Sequence, residues 1–159
     1  METITYLSLG SNVGDREKNL REAIARLGEF GRVRQVSSIY ETEPVEFLEQ
    51  AWFLNCVVES ETSLSAGELL DGVLRIEKAM GRERTAKKGP RNIDIDILLF
   101  GDEVIQSAAL TVPHPAMHER RFVLEPMAEI AVGVRHPVLG KTVRELLETL
   151  PEGQVVRKI

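Results

Sequence analysis

Residues 51–59, Ala-Trp-Phe-Leu-Asn-Cys-Val-Val-Glu, are the segment of the chain that most clearly predicts a β-strand. Successive side chains of a strand point to opposite faces of the sheet. The two faces of this strand are expected to carry Trp52, Leu54, Cys56 and Val58 on one side, and Phe53, Asn55, Val57 and Glu59 on the other. Cys56 is the single cysteine of the chain and lies in this apolar run, so we expect it to be a reduced, structural residue.

Further extended runs alternate with amphipathic helices on both sides of this strand. Strands are predicted over residues 4–9, 33–42 and 93–100, and helices over residues 15–30, 65–81 and from 142 to just before 151. Ser65 and Thr142 are each followed three residues later by Glu, the pattern of a capping box at a helix start. Gly81 stands where a left-handed helix end belongs.

The order of these elements predicts the class of fold. Over about the first hundred residues it is β-α-β-β-α-β, which is typical of an α+β fold with helices on one face of a mainly antiparallel sheet. A turn at residues 10–12 is expected to close the first strand. The proline-rich residues 113–126 are predicted as loop and short helix, in a C-terminal extension to the core.

Composition limits the class of protein. A chain of 159 residues fits one domain or at most two very small ones, and we expect a single domain spanning 1–159; its 43% hydrophobic and 28% charged residues are typical of a globular protein. The net charge of −5 argues against a dedicated nucleic-acid binder, which is usually basic. No run approaches the roughly 18 apolar residues of a membrane span, and no basic-then-apolar secretory signal begins the chain. We therefore expect a cytoplasmic protein.

Residues 87–98 carry the strongest chemical signal. Asp94 and Asp96 lie two apart on a predicted strand, so both carboxylates point to the same face. Such carboxylates repel unless a cation lies between them, and hard oxygen ligands suit Mg²⁺. Five cations precede them within ten positions: Arg82, Arg84, Lys87, Lys88 and Arg91. The combination indicates a metal–phosphate site; a solvated charged loop and an edge-protecting pair of carboxylates are the alternatives.

Two other groups of residues are candidates for ligand binding. Phe53 and Asn55 share a strand face, where an aromatic ring beside an amide could hold a flat heteroaromatic ring, although a core Phe next to a satisfied Asn is the usual explanation. His114 lies between two prolines that restrict its backbone, although loop histidines are more often without function. The chain contains no G-x-x-x-x-G-K-[ST] motif, which excludes the P-loop class.

Several short motifs occur together along the chain. They are Leu9-Gly10-Ser11-Asn12, Phe53-Leu54-Asn55, Gly89-Pro90-Arg91-Asn92-Ile93-Asp94-Ile95-Asp96 and Thr111-Val112-Pro113-His114. In these motifs, and over nearly its whole length, the chain resembles the 6-hydroxymethyl-7,8-dihydropterin pyrophosphokinase family of folate biosynthesis. The most specific of them is the Gly-Pro-Arg-x-x-Asp-x-Asp block before Val-Pro-His.

The resemblance implies a fold, a reaction and partners. The fold is a ferredoxin-like α+β core, βαββαβ, with a C-terminal extension. The reaction moves the β,γ-diphosphate of ATP, bound with two Mg²⁺ ions, to the hydroxymethyl oxygen of the pterin and leaves AMP. The expected partners are ATP and a small pterin, with no nucleic acid and no membrane. We expect a monomer that can dock to other enzymes of the folate pathway.

The resemblance also implies roles for particular residues. Asp94 and Asp96 are the implied metal ligands, and together with Arg82 and Arg91 they are the implied catalytic residues. The implied nucleotide-binding residues are Glu77, Arg82, Arg84, Lys88, Arg91, Thr111, His114 and Arg120. The implied pterin-binding residues are Thr42, Pro44, Val45, Phe53, Asn55 and Phe122. We assign no dedicated general base; Asp94 or Asp96 in that role is not favoured, because a carboxylate bound to a metal is a weak base.

Two rival functions are compatible with the charged residues. A Mg²⁺-dependent nuclease or nucleotidyltransferase would use a similar acid pair and basic loop, but its polyanionic substrate favours a basic protein. A non-catalytic ferredoxin-like nucleotide-binding or regulatory module would explain the cations, but it would not need Asp94 beside Asp96.

Overall fold

Eight strands and four α-helices lie in the residues that this computed structural model describes, 2–43, 51–81 and 92–159. The strands are β1 (Thr3–Ser11), β2 (Arg32–Val36), β3 (Tyr40–Thr42), β4 (Phe53–Thr62), β5 (Asp94–Phe100), β6 (Ile105–Gln106), β7 (Thr111–Val112) and β8 (Val156–Lys158). The helices are α1 (Arg16–Leu27), α2 (Ala66–Ala79), α3 (Arg121–Ala131) and α4 (Val143–Glu148), with a 3₁₀ turn at Met117–Glu119.

Six of these strands form one antiparallel sheet. Its order is β5-β1-β4-β3-β8, and β2 also pairs with β4. The predicted α+β fold with a mainly antiparallel sheet and a C-terminal extension is confirmed, with β2 and β3 together in the place of the second strand of the predicted βαββαβ core. Strands β6 and β7 form a separate two-stranded sheet. None of the described helices is long and apolar enough to cross a membrane.

The single strand predicted over residues 33–42 is wrong, because the structure has two strands there. Both β2 and β3 pair with β4, and Ser37 lies between them. The backbone N–H of Ser37 donates to the carbonyl of Val57, and the Ser37 hydroxyl accepts the backbone N–H of Val57, each at 2.9 Å. The side chain thus replaces a backbone carbonyl in the ladder, which lets the chain leave the strand without unpaired polar groups.

Other element ends differ from the prediction for local reasons. The first strand includes Gly10 and Ser11, because they pair with Asn55 and Leu54 of β4, so the turn begins later than expected. Strand β4 likewise begins at Phe53 and runs to Thr62, whose register partner is Thr3. Helix α1 ends at Leu27 rather than at residue 30, because residues 28–30 form tight i→i−3 turns.

The predicted helix caps are confirmed. Ser65 with Glu68 and Thr142 with Glu145 form reciprocal capping boxes at the starts of α2 and α4. Gly81 follows the end of α2 with φ +82°, a conformation that favours glycine. These local signals set the helix starts without help from tertiary contacts.

Helices α1 and α2 pack on one face of the sheet. The apolar side chains buried there come from both layers: Leu7, Leu9, Leu54, Cys56, Val58, Ile95 and Ile97 of the sheet, with Leu20, Leu27, Leu69, Val73 and Ile76 of the helices. Burial raises the pKa of the Cys56 thiol to about 12, so the thiol stays protonated and packs as an apolar group.

The C-terminal extension covers part of the opposite face. Helices α3 and α4 bury Val123, Leu124, Met127 and Leu146 against Tyr6, Val57, Leu98 and Leu99 of the sheet. The prediction of loop and short helix over residues 113–126 holds for the loop and the 3₁₀ turn, but the helix that begins at Arg121 is longer than expected and continues through Pro126 to Ala131. Pro126 removes one backbone hydrogen bond, but it is buried in the contact of α3 with the sheet, and this packing outweighs the loss.

Candidate active site

Three neighbouring strands present the candidate residues in one row. Gly10 of β1 pairs with Asn55 of β4 on one side and with Asp94 of β5 on the other. Asp96 follows two residues later and pairs with Ser8. These residues lie on the face of the sheet that carries α3, beyond the N-terminal end of that helix. The predicted common face of Asp94 and Asp96 is confirmed, because Ile95 and Ile97 are buried on the other face.

Two cationic or polar side chains approach Asp96 from outside the sheet. The His114 Nε2 atom lies 3.9 Å from the Asp96 Oδ2 atom, and the Arg120 Nη1 atom lies 4.0 Å from the same oxygen. The carboxylate of Asp96 keeps 36% of its surface exposed, whereas His114 and Arg120 are more buried. The structure therefore brings together three residues that lie up to 24 positions apart in the sequence.

Local hydrogen bonds fix the ring of His114. Its backbone N–H donates to the carbonyl of Leu98 at 2.9 Å, and its Nδ1 atom accepts the backbone N–H of Ala116 at 3.1 Å. In the neutral ring the proton is then on Nε2, the atom that faces Asp96. Burial, assisted by the nearby Arg120 and opposed by Asp94, lowers the pKa of His114 from its ordinary value of 6.5 to about 4. His114 is thus a neutral hydrogen-bond donor at pH 7.

Glu77 supports the strand that carries the two aspartates. Its side chain is only 3% exposed, and its Oε2 atom accepts the backbone N–H of Ile95 at 2.9 Å. That N–H lies between Asp94 and Asp96, so the carboxylate of Glu77 fixes the backbone at the centre of the acid pair. The role in nucleotide binding that the resemblance implied for Glu77 stays a prediction.

A second polar pair lies on the other side of Gly10. The Thr42 hydroxyl donates to the Asn55 Oδ1 atom at 2.6 Å, and both side chains are more than nine-tenths buried. This bond leaves the amide nitrogen of Asn55 on the side of Gly10. Phe53 lies two residues before Asn55 on the same face and is half-buried. A buried amide beside a partly exposed ring is an arrangement that can orient a flat polar heterocycle.

Phe122 and Thr111 lie at the margins of the site. Phe122 is half-buried at the start of α3, and the Arg120 guanidinium carbon lies 5.4 Å from its ring centroid, within the range of a cation–π contact. Thr111 begins β7, opposite Gln106, and β7 packs beside β5. Arg120 therefore links the aromatic part of the site to Asp96.

Six of the sequence-predicted site residues lie outside the described residues. They are Pro44, Val45, Arg82, Arg84, Lys88 and Arg91. Their expected roles stay predictions. In the described parts of the chain, no three His, Cys, Asp or Glu side chains come together as a metal-binding group. A metal at Asp94 and Asp96 would therefore take further ligands from elsewhere, as Mg²⁺ commonly does from water and phosphate oxygens.

The chain matches the family model for 7,8-dihydro-6-hydroxymethylpterin-pyrophosphokinase (HPPK) over residues 6–132, which is most of its length. It belongs to the HPPK family. The chain is accordingly an enzyme of the pyrophosphokinase class, of folate biosynthesis. The matched residues include all the described site residues, from Gly10 to Phe122.

Individual HPPK proteins are similar over most of the chain. It is 53% identical over 132 residues to the 2-amino-4-hydroxy-6-hydroxymethyldihydropteridine pyrophosphokinase of Bacillus subtilis, covering 82% of this chain and 79% of that protein. It is 46% identical over 140 residues to the enzyme of the same name from Aquifex aeolicus, covering 88% of each. These relatives support the same family over most of the chain.

A solved HPPK structure shares the fold. The crystal structure of wild-type HPPK-DHPS of Plasmodium falciparum with pterin and p-hydroxybenzoate superposes with a TM-score of 0.72 at 19% identity and covers 93% of this chain. This chain spans only 42% of that longer chain. At this identity the superposition supports the fold alone.

Sequence reasoning missed two features of the site. It treated Gly10 as part of a turn, whereas Gly10 lies in β1 between Asn55 and Asp94. It also gave no role to Glu77 in holding β5. The alternation of residues within β5 pointed to the acid pair, but no local pattern could show which strands are neighbours.

Proposed function

We propose that this chain transfers the β,γ-diphosphate of ATP to the hydroxymethyl oxygen of 6-hydroxymethyl-7,8-dihydropterin and releases AMP. The observation that carries the proposal is the placement of two different recognition groups on one sheet face. Asn55 with Thr42 lies on one side of β1, and Asp94 with Asp96 lies on the other. Strands β4 and β5 are two strand spacings apart, about 10 Å, which suits a small acceptor meeting a phosphate group between them.

The carboxylates of Asp94 and Asp96 fit a hard divalent cation. Mg²⁺ is commonly bound through one or two carboxylates and completes its coordination with phosphate oxygens and water. The two aspartates share a face and remain partly exposed, so they meet that requirement. We propose that they hold two Mg²⁺ ions together with ATP. When bound, these ions would neutralise the phosphate charge and lower the pKa of the acceptor hydroxyl.

The protein's own contribution on the nucleotide side is positioning and charge. Arg120 carries a guanidinium at the edge of the acid pair, where it can bind a phosphate oxygen that the aspartates themselves repel. His114 is neutral, so its Nε2–H can donate a hydrogen bond without adding charge. Thr111, Glu77, Arg82, Arg84, Lys88 and Arg91 complete the proposed nucleotide site, with Arg82 and Arg91 as catalytic residues.

On the acceptor side, the proposed task is orientation of the pterin ring. The amide of Asn55 is held by Thr42 and can form hydrogen bonds with the edge of the ring. Phe53 and Phe122 are proposed to contact its two faces, and Pro44 and Val45 to complete the site. Transfer of a phosphoryl-type group needs mainly alignment and electrostatic stabilisation, so this orientation is a direct contribution to rate.

We further propose that residues 1–159 form one pyrophosphokinase domain, active as a cytoplasmic monomer. Its substrates are ATP and the pterin, and neither nucleic acid nor membrane is a partner. The HPPK-DHPS chain of Plasmodium falciparum joins an HPPK unit and a DHPS unit in a single protein. That arrangement supports docking of this chain to other folate-pathway enzymes.

The activity is tested directly with the purified chain, ATP, Mg²⁺ and hydroxymethyldihydropterin. AMP and the pterin diphosphate should form in equal amounts, and omission of either the pterin or the metal should abolish both. Formation of ADP in place of AMP, or of AMP without the pterin, would contradict the proposed reaction. The second result would instead favour a nucleotide hydrolase.

A further inference from the structure

Gly10 has no conformational reason to be glycine. Of the described glycines, four have a positive φ, namely Gly14, Gly81, Gly101 and Gly140, and Gly10 is not among them. It lies inside β1, paired on both sides in an antiparallel sheet, where other residue types adopt the same backbone. Glycine in a strand interior weakens the strand and often marks a close approach of another group.

The space above Gly10 is filled by the two acceptor-site residues of β4. A Cβ atom at position 10 would lie 2.7 Å from the Asn55 Nδ2 atom and 3.5 Å from the Phe53 Cδ1 atom. The nearest three heavy atoms all belong to these two side chains, and none belongs to Asp94. The amide of Asn55 therefore extends over β1, towards the strand that carries the acid pair.

Two contacts together set the direction of this amide. Thr42 binds its oxygen at 2.6 Å from the side of β3, and the absent side chain at Gly10 leaves room for its nitrogen on the side of β1. Asn55 is only 4% exposed, so the surrounding side chains leave little room for its amide N–H₂ group in any other direction. In the described part of the chain, the amide nitrogen donates no hydrogen bond to a protein group, which leaves its donors for a ligand.

We infer that Gly10 is a positioning residue for the acceptor site: its missing side chain lets the Asn55 amide lie across β1, where it meets the pterin beside the acid pair. The inference rests on the proposed function. A methyl group at this position would meet the end of a flexible side chain rather than backbone. The fold should therefore tolerate it through a small displacement of the Asn55 amide, which then no longer points towards the pterin.

The test compares Gly10→Ala with the wild-type chain by titration calorimetry, using the pterin and a non-hydrolysable Mg–ATP analogue as separate probes. We expect pterin affinity to fall by about tenfold or more, as for the loss of an oriented hydrogen bond, with nucleotide affinity within about twofold. In steady-state kinetics the KM for the pterin should rise while the KM for ATP changes little.

Two other glycines provide matched controls. At Gly67 no heavy atom lies within 4 Å of the position that an added methyl group would occupy, so Gly67→Ala should reduce neither affinity nor stability. At Gly72 a Cβ would lie 2.7 Å from the Phe30 ring, on the other face of the sheet. Gly72→Ala should therefore reduce stability with equal, small effects on both ligands. The Gly72→Ala variant thus measures the effect of a steric clash that lies outside the site.

A double-mutant cycle decides whether Gly10 acts through Asn55. In an Asn55→Ala background the atom at 2.7 Å is gone, so adding Gly10→Ala should weaken pterin binding by no more than about twofold further. If Gly10→Ala weakens the pterin and the nucleotide equally, or acts undiminished in the Asn55→Ala background, the inference is wrong. Wild-type protein that does not bind the pterin overturns the proposed function itself. Wild-type binding that Gly10→Ala leaves unchanged overturns only the role of Gly10.

Discussion

The Glu77 carboxylate accepts the backbone N–H of Ile95 at 2.9 Å, at the point of β5 between Asp94 and Asp96. Strand β5 is the terminal strand of the sheet that the described residues form, and this N–H is directed away from β1, towards α2. A buried N–H without an acceptor is costly, and Glu77 supplies one from α2. The helix thereby fixes the backbone from which both aspartates extend.

Removal of this acceptor should destabilise the fold measurably. Glu77→Ala leaves the Ile95 N–H unpaired and should lower the free energy of unfolding by about 1–3 kcal/mol. Glu77→Gln keeps an oxygen at the same place and should lose clearly less. Denaturant unfolding of both variants measures the difference. Equal losses would show that the charge of Glu77, rather than its bond to Ile95, is what the fold requires.

The acid pair should be essential for activity. Asp96→Asn keeps the size of the side chain but removes one negative charge from the proposed metal site. AMP formation should fall by about three orders of magnitude, because electrostatic positioning is most of what this reaction needs from the protein. Asp102→Asn is the matched control, since Asp102 is an exposed residue of the turn directly after the same strand.

Circular dichroism and thermal unfolding establish whether both variants fold. A folded Asp96→Asn protein that made AMP at the wild-type rate would remove the basis of the metal assignment. So would an equal loss of activity in Asp102→Asn.

Protonation of His114 should make the protein less stable in acid. Burial, assisted by Arg120, lowers its pKa from the ordinary value of 6.5 to about 4 in the folded chain. Between these values the unfolded chain binds the proton more readily than the folded chain does. The contribution of His114 to the free energy of unfolding is therefore constant above pH 6.5 and decreases as the pH falls towards 4.

Nuclear magnetic resonance titration of the ring, without metal or nucleotide, measures the midpoint directly. Unfolding at about pH 7.5 and at about pH 4.5 measures its effect on stability, and His114→Gln should show a smaller decrease over that range. A ring that titrates near its ordinary pKa of 6.5 in the folded protein would contradict the assignment of a neutral, Nε2-protonated histidine.

The hydroxyl of Thr42 should matter for the pterin and not for the nucleotide. Thr42→Val keeps the shape of the side chain but removes the donor that binds the Asn55 oxygen at 2.6 Å. Pterin affinity should fall by about tenfold, the effect of one hydrogen bond of ordinary strength. Thr42→Ser keeps the hydroxyl and should remain within about threefold of the wild type. Calorimetric titration with each ligand separates this outcome from a general loss of structure, which would weaken both.

The sequence by itself determined those features that depend on residues close together in the chain. Alternation placed Asn55 with Phe53 on one face of β4, and both aspartates on one face of β5, because side chains alternate along any strand. The capping boxes at Ser65 and Thr142 fixed two helix starts, since their hydrogen bonds span only three residues. The family followed from motifs of the same local kind.

Only the tertiary structure decided which of these faces meet. The pairing of β1 with both β4 and β5 puts Gly10 between Asn55 and Asp94, and no local pattern specifies such neighbours. The approach of His114 and Arg120 to Asp96, and the continuation of α3 through Pro126, likewise depend on burial against the sheet. Contacts between distant residues depend on the packing of the whole chain. The free energy gained by burying apolar surface can exceed the intrinsic conformational preference of a single segment.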